Sequence, residues 1–318
     1  MPIKYIGSES FTGYGFDKCK YDLYDAYDDT KQWYQTPNLA VWLHGGDHGE
    51  ISMADLHTMQ WRMGCRTIWM VPKSPDPSNR WSFQWGLAHR EEDDKHDLGF
   101  VWGHMHRGFL TAFADRLKTL SVRFEAERVL AFGYSMGGFG SYQIASWAPE
   151  IFDAVIALAG YGVGTQDPED QRFHAPQPES GRRFQQFLET YAVRMAKVPI
   201  VLGVHAKSDS LASYEDDTKI IRTVAWSAWK QGFRKHQAAM ITVPEKLANS
   251  DPGPSTSGHN YYKCSLLRNE TEWILWSRLR TALKKAPKRL FQPARKRPNE
   301  ARQYGRARQS CRSRTVRR

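Results

Sequence analysis

Short apolar runs and amphipathic segments alternate along most of the chain. Runs without polar interruption are typical of strands buried on both faces of a sheet, and apolar residues at i, i+3, i+4 and i+7 are typical of helices. The pattern predicts buried strands at 39–43, 67–72, 128–132, 152–159, 199–204 and 238–243. It predicts helices at about 52–64, 110–124, 137–148, 184–195, 214–231 and 271–284. This alternation indicates an α/β fold with a mostly parallel twisted sheet and helices on both faces.

Residues 1–284 are expected to form one domain because the alternation is continuous. Aromatic spacing within 1–37 predicts edge strands more than a ligand surface. Residues 73–109 form a Trp-rich insertion whose His and Asp spacings match no metal-ligand motif, so we expect no metal or other cofactor. Residues 163–196 either form a lid or include a helix that packs against the core.

The chain carries a net charge of +11, which suggests a polyanionic partner until the charge is located. Residues 284–318 hold 14 Lys and Arg and one acid, so the other 283 residues carry 31 basic and 33 acidic side chains. We expect residues 285–318 to be a basic disordered tail. Its clusters at 284–289 and 295–298 are typical of nuclear-import signals and polyanion-binding segments. A solvated extension without a specific partner is equally consistent with them.

The four cysteines are far apart and indicate neither a zinc site nor a disulfide framework. The first residues lack the apolar segment of a secretory signal, and no apolar run reaches the roughly 18 residues of a membrane span. A cytoplasmic protein is therefore expected, or a nuclear one if the basic tail is an import signal.

The most informative stretch is 129–138, where an apolar run ends in a Gly-x-Ser-x-Gly pattern centred on Ser135 and then turns helical. A strand, a sharp turn and a helix are predicted, with Ser135 in a strained conformation at the turn. Gly133 and Gly137 are required because a Cβ at either position would clash where strand and helix meet. The pattern is short enough to arise by chance, so its meaning depends on the residues around it.

An acid and a base follow later strands of the same predicted sheet. Loops at the carboxyl ends of parallel strands gather at one edge, and Ser135, Asp209 and His259 each follow such a strand. Nucleophilic hydrolysis needs a hydroxyl that attacks, an imidazole that takes and returns its proton, and a carboxylate that orients the imidazole. We therefore predict Ser135 as the nucleophile, His259 as the base and Asp209 as the acid.

Four neighbouring residues compete for the roles of base and acid. His236 precedes the last strand and should lie at the opposite edge of the sheet. His205 comes before the acid in the chain, so a structural hydrogen bond is expected of it. Asp216 and Asp217 lie early in a helix, where the helix dipole stabilises carboxylates without a catalytic reason. Asp209 is favoured over them as the acid.

The oxyanion formed in such a reaction needs fixed N–H donors. The amide of Met136, directly after the nucleophile, is one candidate. The second comes from Gly45 or Gly46, which follow the first buried strand and allow the backbone to approach a substrate carbonyl. A plain glycine turn would suit the same position.

These motifs resemble those of the α/β-hydrolase superfamily, in which the chain order is also Ser, Asp, His. The resemblance rests on 43–46, 133–138, Asp209 and 258–262, and it covers about residues 20–284. The chain is similar to small serine esterases: dienelactone hydrolase, the phospholipase/carboxylesterase group and polyhydroxybutyrate depolymerase-like esterases. The resemblance implies an eight-stranded, mostly parallel sheet and hydrolysis of a small-molecule carboxylic ester or thioester through an acyl-enzyme. The Trp-rich insertion and the basic tail depart from those groups and leave the substrate open.

Two other functions stay open at the level of sequence. A serine peptidase of the same fold would use the same triad, so no motif separates it from an esterase. A non-catalytic protein of this fold could bind polyanions through its tail. That alternative predicts salt-sensitive nucleic-acid binding without turnover.

Overall fold

The computed structural model describes residues 3–13, 16–26, 36–45, 51, 53–73, 107–160, 184, 185, 187–209, 212–245 and 270–285. Within these residues eight strands form one sheet with the order β1-β2-β4-β3-β5-β6-β7-β8. The strands are β1 (Ile3–Gly13), β2 (Phe16–Ala26), β3 (Asn38–Leu43), β4 (Thr67–Pro72), β5 (Val129–Tyr134), β6 (Ala154–Leu158), β7 (Ile200–Ala206) and β8 (Gln237–Val243).

The sheet is mostly parallel, as predicted. β1 pairs with β2 and β2 with β4 in antiparallel orientation, whereas β3 to β8 pair in parallel. The strand order changes direction between β3 and β5, which are neighbours although β4 lies between them in the chain. The crevice outside the carboxyl ends of strands at such a switch point is where open α/β sheets bind ligands.

Helices cover both faces of the sheet. The described helices are α1 (Met53–Met63), α2 (Arg107–Arg123), α3 (Met136–Trp147), α4 (Tyr214–Lys230) and α5 (Glu270–Lys285), with a 3₁₀ helix at Ala192–Lys197. One hydrophobic core lies between the sheet and α2, α3, α4 and the 3₁₀ helix. The second core lies between the sheet and α1 and α5. The predicted layers are therefore confirmed.

Some element boundaries differ from the sequence prediction. α2 begins at Arg107, inside the predicted 73–109 insertion, because Phe109 and Leu110 are buried and the Phe109 ring lies 5.6 Å from that of Phe11 on β1. β5 continues two residues further than predicted, to Tyr134, and so ends directly before Ser135. Residues 74–106 of the insertion lie outside the described residues.

The apolar stripe between β6 and β7 packs against the core. Its five residues are all buried: Phe184, Phe187, Leu188, Tyr191 and Met195. The Phe187 ring lies 5.1 Å from that of Phe139 on α3, as expected for a packing helix. Residues 163–183 of the segment 163–196, for which a lid was the alternative, lie outside the described residues, as does the tail at 286–318. None of the helices that the structure describes is long and apolar enough to cross a membrane.

Candidate active site

Ser135 occupies a strained turn between β5 and α3. Its backbone has φ 56° and ψ −120°, a conformation that residues with a side chain rarely adopt and that costs about 1–3 kcal/mol. The Ser135 N–H donates to Leu158 O on β6 at 2.8 Å, and its carbonyl accepts from Phe139 N at 3.2 Å. These bonds hold the turn, so the strain expected from the sequence motif is present at this residue.

Two glycines make the turn sterically possible. A Cβ at Gly133 would lie 1.9 Å from Gly137 O, and a Cβ at Gly137 would lie 2.1 Å from Leu43 O. Both distances are far inside van der Waals contact, so no other residue fits without moving the backbone. α3 therefore begins pressed against β5 and against the end of β3.

The loop after β3 reaches the candidate nucleophile. A Cβ at Gly45 would lie 3.0 Å from the Tyr134 ring and 3.4 Å from Ser135 Cβ, which places the Gly45 backbone beside Ser135. His44 Nδ1 lies 2.7 Å from Gly45 O and donates to it. Met136 is the first residue of α3, where helical N–H groups lack intrahelical partners and the dipole favours an anion. Gly46 lies outside the described residues.

Asp209 follows β7, and its side chain is completely buried. Its Oδ1 accepts from Ala212 N at 2.9 Å, and its Oδ2 lies 3.1 Å from His205 Nε2. The Asp209 N–H donates to Ala206 O at 3.3 Å, so the chain turns back on itself after the strand. This turn brings the carboxylate to the carboxyl edge of the sheet, the same edge as Ser135.

His205 lies between two carboxylates. Its Nδ1 is 2.9 Å from Asp217 Oδ2, while its Nε2 faces Asp209 and Ala212 O. Burial lowers the pKa of His205, but hydrogen bonds and charge interactions with Asp209 and Asp217 outweigh burial and raise it to about 9. His205 is therefore an imidazolium at neutral pH and donates from both ring nitrogens.

Asp217 has a second partner on the helix that follows Ser135. Its Oδ1 accepts from the Tyr142 hydroxyl at 2.6 Å, across 75 positions of the chain. A buried hydrogen-bonded chain thus runs from Tyr142 on α3 through Asp217 and His205 to Asp209. From the sequence, Asp217 is explained only by the favourable interaction of a carboxylate with the helix dipole. Its spacing nevertheless places it on the same helix face as Ile220, Ile221 and Val224, and this spacing indicates burial.

His236 lies away from this cluster, as predicted. It directly precedes β8, whose first residue, Gln237, donates to Pro199 O in front of β7. His236 is therefore at the amino edge of the sheet, where burial lowers its pKa. The predicted base, His259, lies outside the described residues.

Comparisons with known proteins support the fold. No protein-family model matches the chain, and no curated protein sequence matches it. A solved thermostable esterase is similar over 83% of this chain and 62% of its own, with 16% identity and a TM-score of 0.53. A protein from Klebsiella pneumoniae assigned as a dienelactone hydrolase is similar over 90% of this chain and 100% of its own, with 14% identity and a TM-score of 0.53.

The acylaminoacyl peptidase of Pyrococcus horikoshii has a TM-score of 0.54 at 11% identity, and this chain matches 43% of its length. At such identities the likeness concerns the fold and not the substrate. The sheet order, the strained turn at Ser135 and these similarities show that the chain has the α/β-hydrolase fold.

Proposed function

We propose that the protein is a serine hydrolase that cleaves a carboxylic ester or thioester through an acyl-enzyme. The observation that carries the proposal is the Ser135 turn, which combines a strained serine, a helix amino end and the adjacent Gly45 backbone. Backbone strain of this kind persists only where the surrounding structure enforces it, and it concentrates at functional sites. A purely structural turn would have no need for a serine at φ 56°.

In the proposed reaction Ser135 Oγ attacks the substrate carbonyl carbon while His259 takes its proton. The resulting oxyanion accepts from the amides of Met136 and of Gly45 or Gly46. The intermediate then expels the alcohol or thiol, which leaves with the proton from His259. A water molecule attacks the acyl-enzyme in the same way and releases the acid, with Ser135 regaining its proton.

Asp209 orients His259 in this proposal, and His205 orients Asp209. The imidazolium of His205 and the amide of Ala212 donate to different oxygens of the carboxylate, so the plane of Asp209 is fixed. The electrostatic attraction between the imidazolium of His205 and the carboxylate of Asp209, 3.1 Å apart, also holds the carboxylate in place. Asp217 and Tyr142 in turn hold the His205 ring.

Labelling with a fluorophosphonate probe tests the proposal because the probe reacts far faster with an activated serine than with an ordinary hydroxyl. The folded protein is expected to be labelled, and Ser135→Ala is expected to abolish labelling. A folded protein that is not labelled, or a Ser135→Ala variant labelled like the wild type, would overturn the proposal.

Turnover of p-nitrophenyl esters of graded chain length would then define the acyl group. The same assay with aminoacyl p-nitroanilides separates ester from peptide chemistry. Faster turnover of the anilides would assign the site to a peptidase.

A further inference from the structure

α4 exposes two stacked tryptophans on the face opposite the core. Trp226 is 55% exposed and Trp229 is 71% exposed, and their rings lie 4.9 Å apart with an interplanar angle of 21°. The core side of α4 is formed by other residues, among them Ile221, Val224 and Ala228. Neither tryptophan therefore contributes to the packing of α4 against the sheet.

A third exposed aromatic residue, Phe233, follows the two tryptophans in the chain. Gly232, in the left-handed conformation at φ 75°, ends α4, and Phe233 N donates to Ala228 O at 2.9 Å. The turn places Phe233, which is 43% exposed, directly after the two tryptophans. We call Trp226, Trp229 and Phe233 the Trp face.

The charged residues next to the Trp face on α4 and in the turn after it are all basic. The chain has no Asp or Glu from 218 to 244. Arg222 lies one helical turn before Trp226, Lys230 Nζ lies 5.2 Å from the centre of the Trp226 ring, and Arg234 and Lys235 follow Phe233. All four cations are exposed. The domain outside the tail has a slight excess of acids, so this local charge is not a general property of the surface.

The Trp face lies far from the candidate active site. α4 begins just after Asp209 at the carboxyl edge of the sheet and ends next to His236 at the amino edge. Its 17 residues span about 25 Å. A partner on the Trp face would therefore leave the crevice at Ser135 open.

We propose that the Trp face docks the protein onto an anionic phospholipid surface. Indole rings with an apolar body and a polar N–H concentrate at the headgroup level of bilayers, and neighbouring Lys and Arg add attraction to anionic lipids. The exposed rings enter the headgroup region, and the four surrounding cations contact lipid phosphates. The proposal does not depend on the assignment of Ser135 as a nucleophile.

Other partners fit this surface less well. Two copies paired through it would bring like charges together, which disfavours a homodimer. A single-stranded nucleic acid would stack its bases on free ring faces. Here Trp226 and Trp229 already stack on each other, and Lys230 lies over the Trp226 ring.

Co-sedimentation of the full-length protein with vesicles tests the proposal. Vesicles of phosphatidylcholine alone are compared with vesicles that also contain phosphatidylglycerol, at moderate salt. The wild type is expected to bind the anionic vesicles more strongly. Trp226→Ser with Trp229→Ser should lower the partition coefficient at least about tenfold, and Arg234→Glu with Lys235→Glu should lower it on anionic vesicles.

Trp61→Ser is the matched control. Trp61 is 53% exposed on α1 and its ring also lies under a cation, Arg62, at 4.5 Å, but it has no aromatic partner among the described residues. This variant should bind vesicles like the wild type. Thermal unfolding by circular dichroism checks that each variant is folded, and the charge variant provides a second test if the double Trp variant is not.

Three results would overturn the proposal. The wild type could show no preference for anionic vesicles. The two Trp face variants could bind like the wild type, in which case another part of the chain, such as the basic residues 284–318, is responsible for any binding. Finally, a gel shift with single-stranded RNA, or self-association, could depend on Trp226 and Trp229 while vesicle binding does not.

Discussion

Asp153 and Asp209 are both fully buried carboxylates beside sheet strands, but they lie at opposite edges. Asp153 precedes β6 at the amino edge, where it accepts from Val129 N at 2.9 Å and has Arg128 Nη1 at 4.0 Å. Asp209 follows β7 at the carboxyl edge beside the imidazole of His205. A guanidinium stays protonated, whereas an imidazole can exchange its proton. Burial of a carboxylate does not by itself indicate a functional site. The edge of the sheet at which the carboxylate lies and the side chain that it contacts are more informative.

The largest expected effect is the difference in the labelling rate of Ser135 between Asp209→Asn and Asp153→Asn. Asp209→Asn is expected to lower the rate of fluorophosphonate labelling of Ser135 by roughly 10³-fold or more, because in the proposed triad a neutral amide cannot stabilise the imidazolium of His259. Asp153→Asn should leave that rate unchanged and lower the free energy of unfolding by about 1–3 kcal/mol. Labelling kinetics and urea unfolding of both variants measure this. Equal losses of labelling in the two variants would contradict the comparison.

The second expected effect is on the pH dependence of stability, to which His205 at the carboxyl edge contributes. The pKa of His205 rises from about 6.5 in the unfolded chain to about 9 in the folded protein. The protonated ring therefore stabilises the fold fully below pH 6.5, and this contribution, about 3 kcal/mol, is lost as the pH rises towards 9 and above.

Urea unfolding across this pH range measures that contribution. The free energy of unfolding of His205→Gln, whose side chain cannot titrate, should change little between pH 6.5 and 9. That of Asp153→Asn should fall over this range as the wild type does. A His205→Gln variant with the wild-type pH dependence would show that another group titrates.

The smallest effect is expected at Tyr142, the residue of the buried hydrogen-bonded chain that lies furthest from Asp209. Tyr142→Phe removes the hydroxyl that donates to Asp217 and leaves a buried acceptor short of one donor, which costs about 1–3 kcal/mol of stability. Labelling of Ser135 should slow only severalfold, since Asp209 keeps both of its own donors. Ser141→Ala, which removes a hydroxyl bonded within α3 to Gly138 O, is the matched control. A loss of labelling as large as that of Asp209→Asn would mean that Tyr142 acts more directly.

Most strands and helices could be predicted from the sequence because their signals are local. Continuous apolar runs predict β3 to β8. The spacing of Ile221, Val224, Ala225 and Ala228 predicts the buried face of α4, and of these four residues only Ala225 is partly exposed. By the same periodicity Trp226 and Trp229 had to lie on the outer face. Gly133 predicted the tight turn because the clash that it avoids is with Gly137, four residues further along the chain, whereas the clash avoided at Gly137 is with Leu43 on the distant strand β3.

The cluster around Asp209 could not be predicted in the same way. His205 and Asp209 meet because the chain turns back after β7, and Asp217 meets Tyr142 because α3 and α4 pack on one face of the sheet. The local pattern of apolar and polar residues does not show a contact between residues that lie 75 positions apart. The sequence by itself determined the fold class and the strained serine, since hydrophobic periodicity and local sterics dictate both. Only the tertiary structure decided that Asp209 and Asp217 both contact His205, because these contacts depend on how elements distant in the chain pack.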